Sequence, residues 1–279
     1  MKCREWKTGY SSKFYFNKFS LEDMHGKKTM ELMKAAGLSC MELSCTYEEM
    51  EEIGFISDPE KIKIQAEETG IELWSVHLPY NALENGRHVE RFVRSIKVID
   101  AAAKAGFKVI TIHPSYEGIQ SHRREEKLKD AIVNIKIIAE YCRSRGLIPA
   151  VEDLPRSCLG HNTDEMLKIL EGCPEAMVTF DTNHILVENN DDNLSFIRAI
   201  GPRIVSTHIS DYDLEHEKHW IPLDGKNDWK NIVKLLEEAG YTGPFLYEIR
   251  WNSSEKEENL PITPERLRKI HMDIAAMTE

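Results

Sequence analysis

No stretch of this 279-residue chain is both long enough and uncharged enough to cross a bilayer, and the opening MKCREWKTGYSSKFYFNKFS lacks the continuous apolar run of a signal peptide. A cytoplasmic location is the expectation. Basic charge is also in short supply. Lysine and arginine total 36 against 47 aspartates and glutamates, a formal charge of −11, so nothing in the balance favours holding a phosphate backbone; a nucleic-acid role would need a local basic surface. The six cysteines (Cys3, Cys40, Cys45, Cys142, Cys158, Cys173) lack the close pairing of a zinc ribbon or a thioredoxin-type centre and read as reduced, mostly structural thiols. No linker, low-complexity stretch or second composition regime appears, and the charged NSSEKEEN at 252–259 reads as a solvated loop. One domain over residues 1–279 is expected, with 41% hydrophobic residues to build its core.

What the chain does have is a regular alternation. Short β-branched or apolar runs at 13–17, 38–43, 71–76, 107–112, 148–151, 177–180, 204–207 and 245–247 predict eight strands. Between them lie amphipathic segments, with Val89, Phe92, Val93, Ile96 and Ile99 at helical spacing, and likewise Leu128, Ile132, Ile135, Ala139 and Cys142. Asn162 three residues before Glu165, and Thr263 before Pro264, are helix starts. Glycines in KAAGLS, EETGIE, AKAGFK, RSRGLI and EEAGYT end a helix just before the next strand. Eight such units, without a Gly-rich dinucleotide turn after the first strand, predict an α/β fold of the closed (β/α)8 TIM-barrel type rather than a doubly wound sheet.

Polar residues recur where these strands stop. The third runs into His77 (WSVHLPY), the fourth into His113 (ITIHPSY), the fifth into Glu152 (AVEDLP) and the sixth into Asp181 and then His184 (VTFDTNH). The seventh reaches His208 (VSTHISDY) and the eighth Glu248 (LYEIRW). In a barrel every carboxyl strand end opens on one face, so these groups would share a cavity. One buried histidine at a strand end is most simply a hydrogen-bonded structural residue. Six equivalent strand ends are harder to explain by packing, because clustered carboxylates repel one another unless a cation balances them. Two glutamates, an aspartate and a histidine without cysteine suit one divalent ion, Mn²⁺, Co²⁺, Mg²⁺ or Zn²⁺.

Taken together, SVHLPYN, TIHPS, VED, FDTNH, THISDYD, HWIPLDGKNDW and LYEIR resemble the xylose isomerase-like superfamily, in particular its sugar phosphate isomerase/epimerase group, over nearly the whole chain. The resemblance implies a divalent ion held by Glu152, Asp181, His208 and Glu248, with Glu152 and Glu248 as the acid/base pair. His184 and His219 match positions that bind substrate oxygens or a further metal, and His77 and His113 would orient substrate hydroxyls or the ligands. The implied activity is isomerisation or epimerisation of a sugar, small polyol or keto acid through a metal-stabilised enediolate. An inosose dehydratase would share the first proton abstraction.

The apurinic endonucleases of the same superfamily resemble the chain at His77, His113, Glu152, Asp181, His184, His208, His219 and Glu248, with Glu217 where they carry an aspartate. Acidic net charge, and acids that dilute His122, Arg123 and Arg124 in EGIQSHRREEK, count against that alternative. A non-catalytic sugar-binding barrel is a third class, disfavoured because both glutamates are present. Trp74, Tyr116, Trp220 and Trp251 are candidates for an apolar wall or for packing; Trp251 and Glu217 join the candidate substrate contacts. His25, His88, His122, His161 and His271 read as surface or helix residues. No Gly-rich phosphate cradle follows the last two strands, so an unphosphorylated small molecule is the expected partner, with neither nucleic acid nor membrane. Relatives are often dimers or tetramers, which makes a homo-oligomer an open expectation.

Overall fold

The computed structural model describes residues 1–79, 83–86, 89–116, 119–253 and 261–278. The readings made above for Ser254–Asn259 and for His88 lie outside them, as do Tyr80, Asn81, Glu117 and Gly118 of the quoted motifs.

The strands are β1 Thr8–Ser11, β2 Cys40–Ser44, β3 Glu72–His77, β4 Val109–Ile112, β5 Ile148–Glu152, β6 Met177–Asp181, β7 Ile204–His208 and β8 Phe245–Tyr247. They form one parallel sheet in the order β7-β6-β5-β4-β3-β2-β1-β8. At the remaining seam, just beyond β7, the Ile209 N–H donates to the Leu246 carbonyl (2.7 Å) and the Glu248 N–H to the Ile209 carbonyl (3.2 Å). The sheet thus closes toward a (β/α)8 barrel. Helices α1 Leu21–His25, α2 Lys27–Ala35, α3 Tyr47–Glu52, α4 Glu60–Thr69, α5 Val89–Ala105, α6 Arg124–Ser144, α7 Thr163–Gly172, α8 Asn193–Ile200, α9 Trp229–Glu238 and α10 Pro264–Ala276 occupy the crossovers and the carboxyl end. Among the described residues, no helix is long and apolar enough to cross a membrane.

The first strand departs from expectation. Lys13–Asn17 is not extended: Ser12–Tyr15 form a 3₁₀ turn, and Asn17 sits at φ 60°, outside strand geometry. The strand is Thr8–Ser11 instead, masked in the sequence by a glycine that ordinarily weakens strands. Gly9 is there for space, since a Cβ would stand 2.9 Å from Cys40 Sγ and 3.1 Å from Leu246 Cγ. The aromatics that suggested a strand are buried next to it, with Phe14 and Tyr15 edge to face at 4.9 Å.

Other elements follow their chemistry. Asn162 Oδ1 accepts from the Glu165 N–H (3.0 Å), but the Glu165 carboxylate turns to Arg124 rather than closing a reciprocal box. Thr263 caps Arg266 with Pro264 in the first helical position. The five expected stop glycines, Gly37, Gly70, Gly106, Gly146 and Gly240, all have positive φ. In α6 the periodic face is buried as read, apart from a half-buried Ile132. In α5 it is rotated: Val98, Ile99, Ala102 and Ala105 face the core while Val89, Val93 and Ile96 are exposed.

Inside the barrel, under the carboxyl strand ends, the layer is polar. Glu42 Oε2 accepts from Ser75 Oγ (2.8 Å) and Thr111 Oγ1 (3.3 Å), and Thr111 meets Thr179 at 3.2 Å, all fully buried. Trp74 belongs to this interior, its indole N–H donating to Ser206 Oγ (3.2 Å).

Candidate functional site

Strands β3, β5, β6 and β7 end on His77, Glu152, Asp181 and His208, one residue later than their predicted apolar runs, while His113 and Glu248 follow β4 and β8 directly. Ligand atoms of Glu152, Asp181, His208 and Glu248 all lie within 4.8 Å of one another. His208 is the centre of the group. Its Nδ1 stands 2.8 Å from Glu152 Oε1, 3.1 Å from Glu248 Oε2 and 4.0 Å from Asp181 Oδ2, and its Nε2 is 3.1 Å from Glu42 Oε2.

The residues around FDTNH explain how the ring is held. The Asp181 N–H donates to Asp153 Oδ1 (2.8 Å), tying the ends of β5 and β6, and Asp181 Oδ1 accepts from the Asn183 N–H (2.7 Å). Thr182 Oγ1 donates to the Ser210 carbonyl (2.7 Å), and Asn183 Oδ1 accepts from the Lys218 N–H (3.1 Å), which positions the loop bearing Glu217 and His219. His184 Nδ1 donates to the Asp153 carbonyl (2.7 Å), so its Nε2 is left for Asp181 Oδ2 at 3.4 Å and Glu217 Oε1 at 3.9 Å. Asp211 organises the following turn, accepting from the Leu223 N–H, the Asn227 N–H and the Trp229 indole. Gly225 fits there because a Cβ would meet Asp211 Oδ1 at 2.3 Å.

Two further groups adjoin the first. His77, His113 and Glu152 form one, with Glu152 Oε2 accepting from His113 Nε2 (2.8 Å) and His77 Nε2 (3.2 Å). His184, Glu217 and His219 form the other, with His219 Nε2 3.0 Å from Glu217 Oε1 and Arg156 paired to the opposite oxygen. Trp251 stands apart, donating its indole N–H to the Phe16 carbonyl (3.0 Å) beneath Lys18 Nζ. Tyr116 is exposed, and Trp220 bridges to Asp211.

The electrostatics are those of crowded carboxylates with too little positive charge. Burial would push the Glu152 carboxyl up, but His208 and His113 outweigh it and hold the group well below the usual range. Glu248 is likewise low, burial being overcome by His208. Burial pulls the His208 imidazole down, yet Glu248, Glu42 and Glu152 hold it well above the ordinary histidine value. Asp181 goes the other way: burial and then Glu248 raise it well above the normal carboxylate range, and its Oδ2 makes no hydrogen bond. Glu217 is held down to about 2, its burial offset first by the bond from His219. Four inward donors, three of them carboxylate oxygens and one left without a hydrogen bond, fit a hard divalent ion.

Three acids of this site escaped the sequence reading. Glu42, Asp153 and Asp211 are all fully buried. Glu42 had a signal, as the lone acid in the otherwise apolar start of strand CMELS, and Asp153 and Asp211 sit within motifs quoted for their neighbours. The cavity above the ring measures about 760 Å³, and His77, Glu217, His219 and Glu248 line it.

An eight-stranded parallel barrel with acids and histidines at its carboxyl strand ends defines a class, and the comparisons place the chain within it. Residues 30–270 match the model of the xylose isomerase-like TIM barrel family, and the chain belongs to that family. Among curated proteins it is similar to uncharacterized protein y4fM of Sinorhizobium fredii, 26% identical over 160 residues; the match covers 54% of this chain and half the length of that relative. Its fold is shared by D-psicose 3-epimerase from Clostridium cellulolyticum H10, solved with D-tagatose (TM-score 0.76, 16% identity, 98% of this chain and 99% of that one). A D-tagatose 3-epimerase-like protein is similar at TM-score 0.75 and 18% identity, covering 98% of both chains. Another is the E. coli 3-keto-D-glucoside 4-epimerase YcjR, at TM-score 0.74 and 15% identity, covering 98% and 99%.

Proposed function

We propose that the protein is a divalent-metal-dependent sugar isomerase or epimerase that moves a proton with Glu152 and Glu248. The observation that carries this reading is the position of the two glutamates on His208 Nδ1, at 2.8 and 3.1 Å, beside an Asp181 Oδ2 that accepts no hydrogen bond. The epimerases that share the fold support the substrate class.

Glu152, Asp181, His208 and Glu248 would hold the ion. When bound, it supplies the charge that acidifies a carbon beside a carbonyl and stabilises the enediolate oxygens. The chain's residues do the rest. Glu248 lines the cavity and is the base that reaches a sugar carbon. Glu152 is wholly buried, its Oε2 fixed by His113 and His77 and its Oε1 2.8 Å from His208 Nδ1, and in this reading it is Oε1 that turns to the reacting carbon from the other side. A proton returned by the opposite glutamate to the same carbon gives an epimer; returned to the neighbouring carbon it gives an aldose–ketose exchange. His219 and His184 hold sugar oxygens.

Glu152→Gln and Glu248→Gln test the mechanism. In ion-loaded protein incubated with D-tagatose, D-fructose and D-psicose in deuterated water, wild type exchanges a carbon-bound proton and each variant loses that exchange by about a thousandfold. Exchange persisting in both would overturn the mechanism.

One observation favours a second reading, an endonuclease acting at abasic sites: the two extra groups, His77–His113–Glu152 and His184–Glu217–His219, could each take an ion. About three zinc ions per chain, with incision of duplex DNA containing an abasic site, would reverse the ranking. One ion per chain and no incision supports the isomerase.

A further inference from the structure

We propose that the substrate carries an anionic group, a carboxylate or a phosphate ester, at the end remote from its reacting carbon, and that Lys13 and Arg250 receive it. The inference rests on the cavity being the sugar site proposed above and names the kind of sugar that fits it.

The cations around the cavity differ in what they already hold. Arg94 is committed to Glu48 (2.7 Å) and Glu90 (3.4 Å), and Lys218 lies 4.0 Å from Asp213. Lys13, which follows β1, is half-buried and lines the cavity with its Nζ free of any ion pair or hydrogen bond among the described residues. Arg250, an exposed residue, also lines it, and among the described residues its guanidinium has no acid partner; it lies over the Phe16 ring at 4.5 Å. A half-buried cation without a counter-charge is costly, the more unusual in a chain of net charge −11.

The two cations stand on adjoining segments. β1 pairs with β8, and beyond both strands the Trp251 N–H donates to the Phe14 carbonyl (3.0 Å), so residues 13–14 and 250–251 run side by side. Arg250 is two residues past Glu248, and two residues of chain span at most about 7 Å. This ceiling on the Cα separation, with Glu248, Arg250 and Lys13 all lining one cavity, puts base and cations within the compass of one five- or six-carbon sugar. Stacking on Phe16 limits the Arg250 rotamers and presents a planar fork suited to a carboxylate or phosphate, while Lys13 adds a point charge. Such a site needs no Gly-rich loop, so the absence of one after β7 and β8 does not argue for a neutral substrate.

The test uses ion-loaded protein and three probes: D-tagatose, D-fructose 6-phosphate and D-fructuronate. Proton exchange in deuterated water is followed by NMR and binding by calorimetry. One anionic probe is expected to exceed D-tagatose in kcat/KM by roughly a hundredfold; preference for the phosphate ester or for the uronate identifies the group. Lys13→Gln and Arg250→Gln should each cut the anionic-to-neutral ratio about tenfold, through KM more than kcat. Lys18→Gln, which removes an exposed cation outside the cavity, should leave the ratio unchanged. A wild type that prefers D-tagatose, or a preference for anions that survives both cavity variants, overturns the inference. If no probe exchanges a proton yet an anionic probe binds and Lys13→Gln or Arg250→Gln weakens it, the anion site stands and the isomerase reading fails.

Discussion

Two histidines with no exposed surface, at opposite ends of the barrel, separate structure from chemistry. His271, on α10 beneath the amino ends of the strands, donates from Nε2 to the Cys3 carbonyl (2.9 Å), while its Nδ1 accepts from Thr8 Oγ1 (2.6 Å) and Arg268 (3.1 Å). It stacks on Phe245 at 4.7 Å. Burial, with Arg268 beside it, lowers it to about 4. His208, at the carboxyl ends, has carboxylates at both ring nitrogens and is held high by them. Burial is the same at both ends. A histidine whose neighbours are neutral acceptors, neutral donors and a cation is finished as it stands, whereas one ringed by acids is half of a cation site.

The largest test of that contrast exchanges each histidine for glutamine. His208→Gln should weaken binding of a divalent ion by more than the roughly 10–100-fold that loss of an outer partner costs, and abolish proton exchange with it. His271→Gln should leave ion affinity where it was and lower stability by about 1–3 kcal/mol. Calorimetric titration with Mn²⁺ beside urea unfolding reads both. Equal ion affinity in the two variants would break the contrast.

Acid gives the next effect. His271 in the fold sits at about 4, below its ordinary 6.5, so the unfolded chain takes up the proton first as pH falls. The stability this group contributes is therefore full above pH 6.5 and drains away between 6.5 and 4, by about 2 kcal/mol from pH 7 to 5. His25 is lowered in the same way, so both contribute to the acid sensitivity of the wild type. Urea unfolding of His271→Gln at the two pH values should show a drop smaller by about 2 kcal/mol; an unchanged drop would mean that the buried His271 is not what the proton seeks.

The amino acid sequence makes the mouth legible and the floor obscure, for a physical reason. Strand-end residues announce themselves because an apolar run stops on a polar side chain, as at Phe180–Asp181 or Thr207–His208, and the barrel topology then gathers them. β1 was hidden because Gly9 serves a close approach that only the packed sheet reveals, while Phe14 and Tyr15 next to it look more strand-like than the strand. α5 showed a helical period, but which side of it meets the sheet depends on the neighbours, and that side proved to be alanine-rich. His25 and His271 read as surface or helix positions; both lie in helices and are buried, because their partners, Ser12 and Thr8, come from distant turns and strands. Trp251 followed a strand end in the right register, but its indole is taken by the Phe16 carbonyl.

Glu42 supplies the smallest effect. Its Oε2 gathers Ser75, Thr111 and His208 Nε2, so Glu42 holds a His208 proton on Nε2, and it is the Nδ1 side, facing Glu152 and Glu248, that would give up its proton to take an ion. His271 has no counterpart to this; its Nε2 proton goes to a neutral carbonyl. Glu42→Gln keeps the shape and removes the charge, and should lower divalent-ion affinity roughly tenfold with little change in melting temperature. A carboxylate that only filled the barrel would move the melting temperature and leave ion affinity alone. That result would make His208 as independent of its buried acid as His271 is of any, and the difference between the two ends would then lie wholly in Glu152, Asp181 and Glu248.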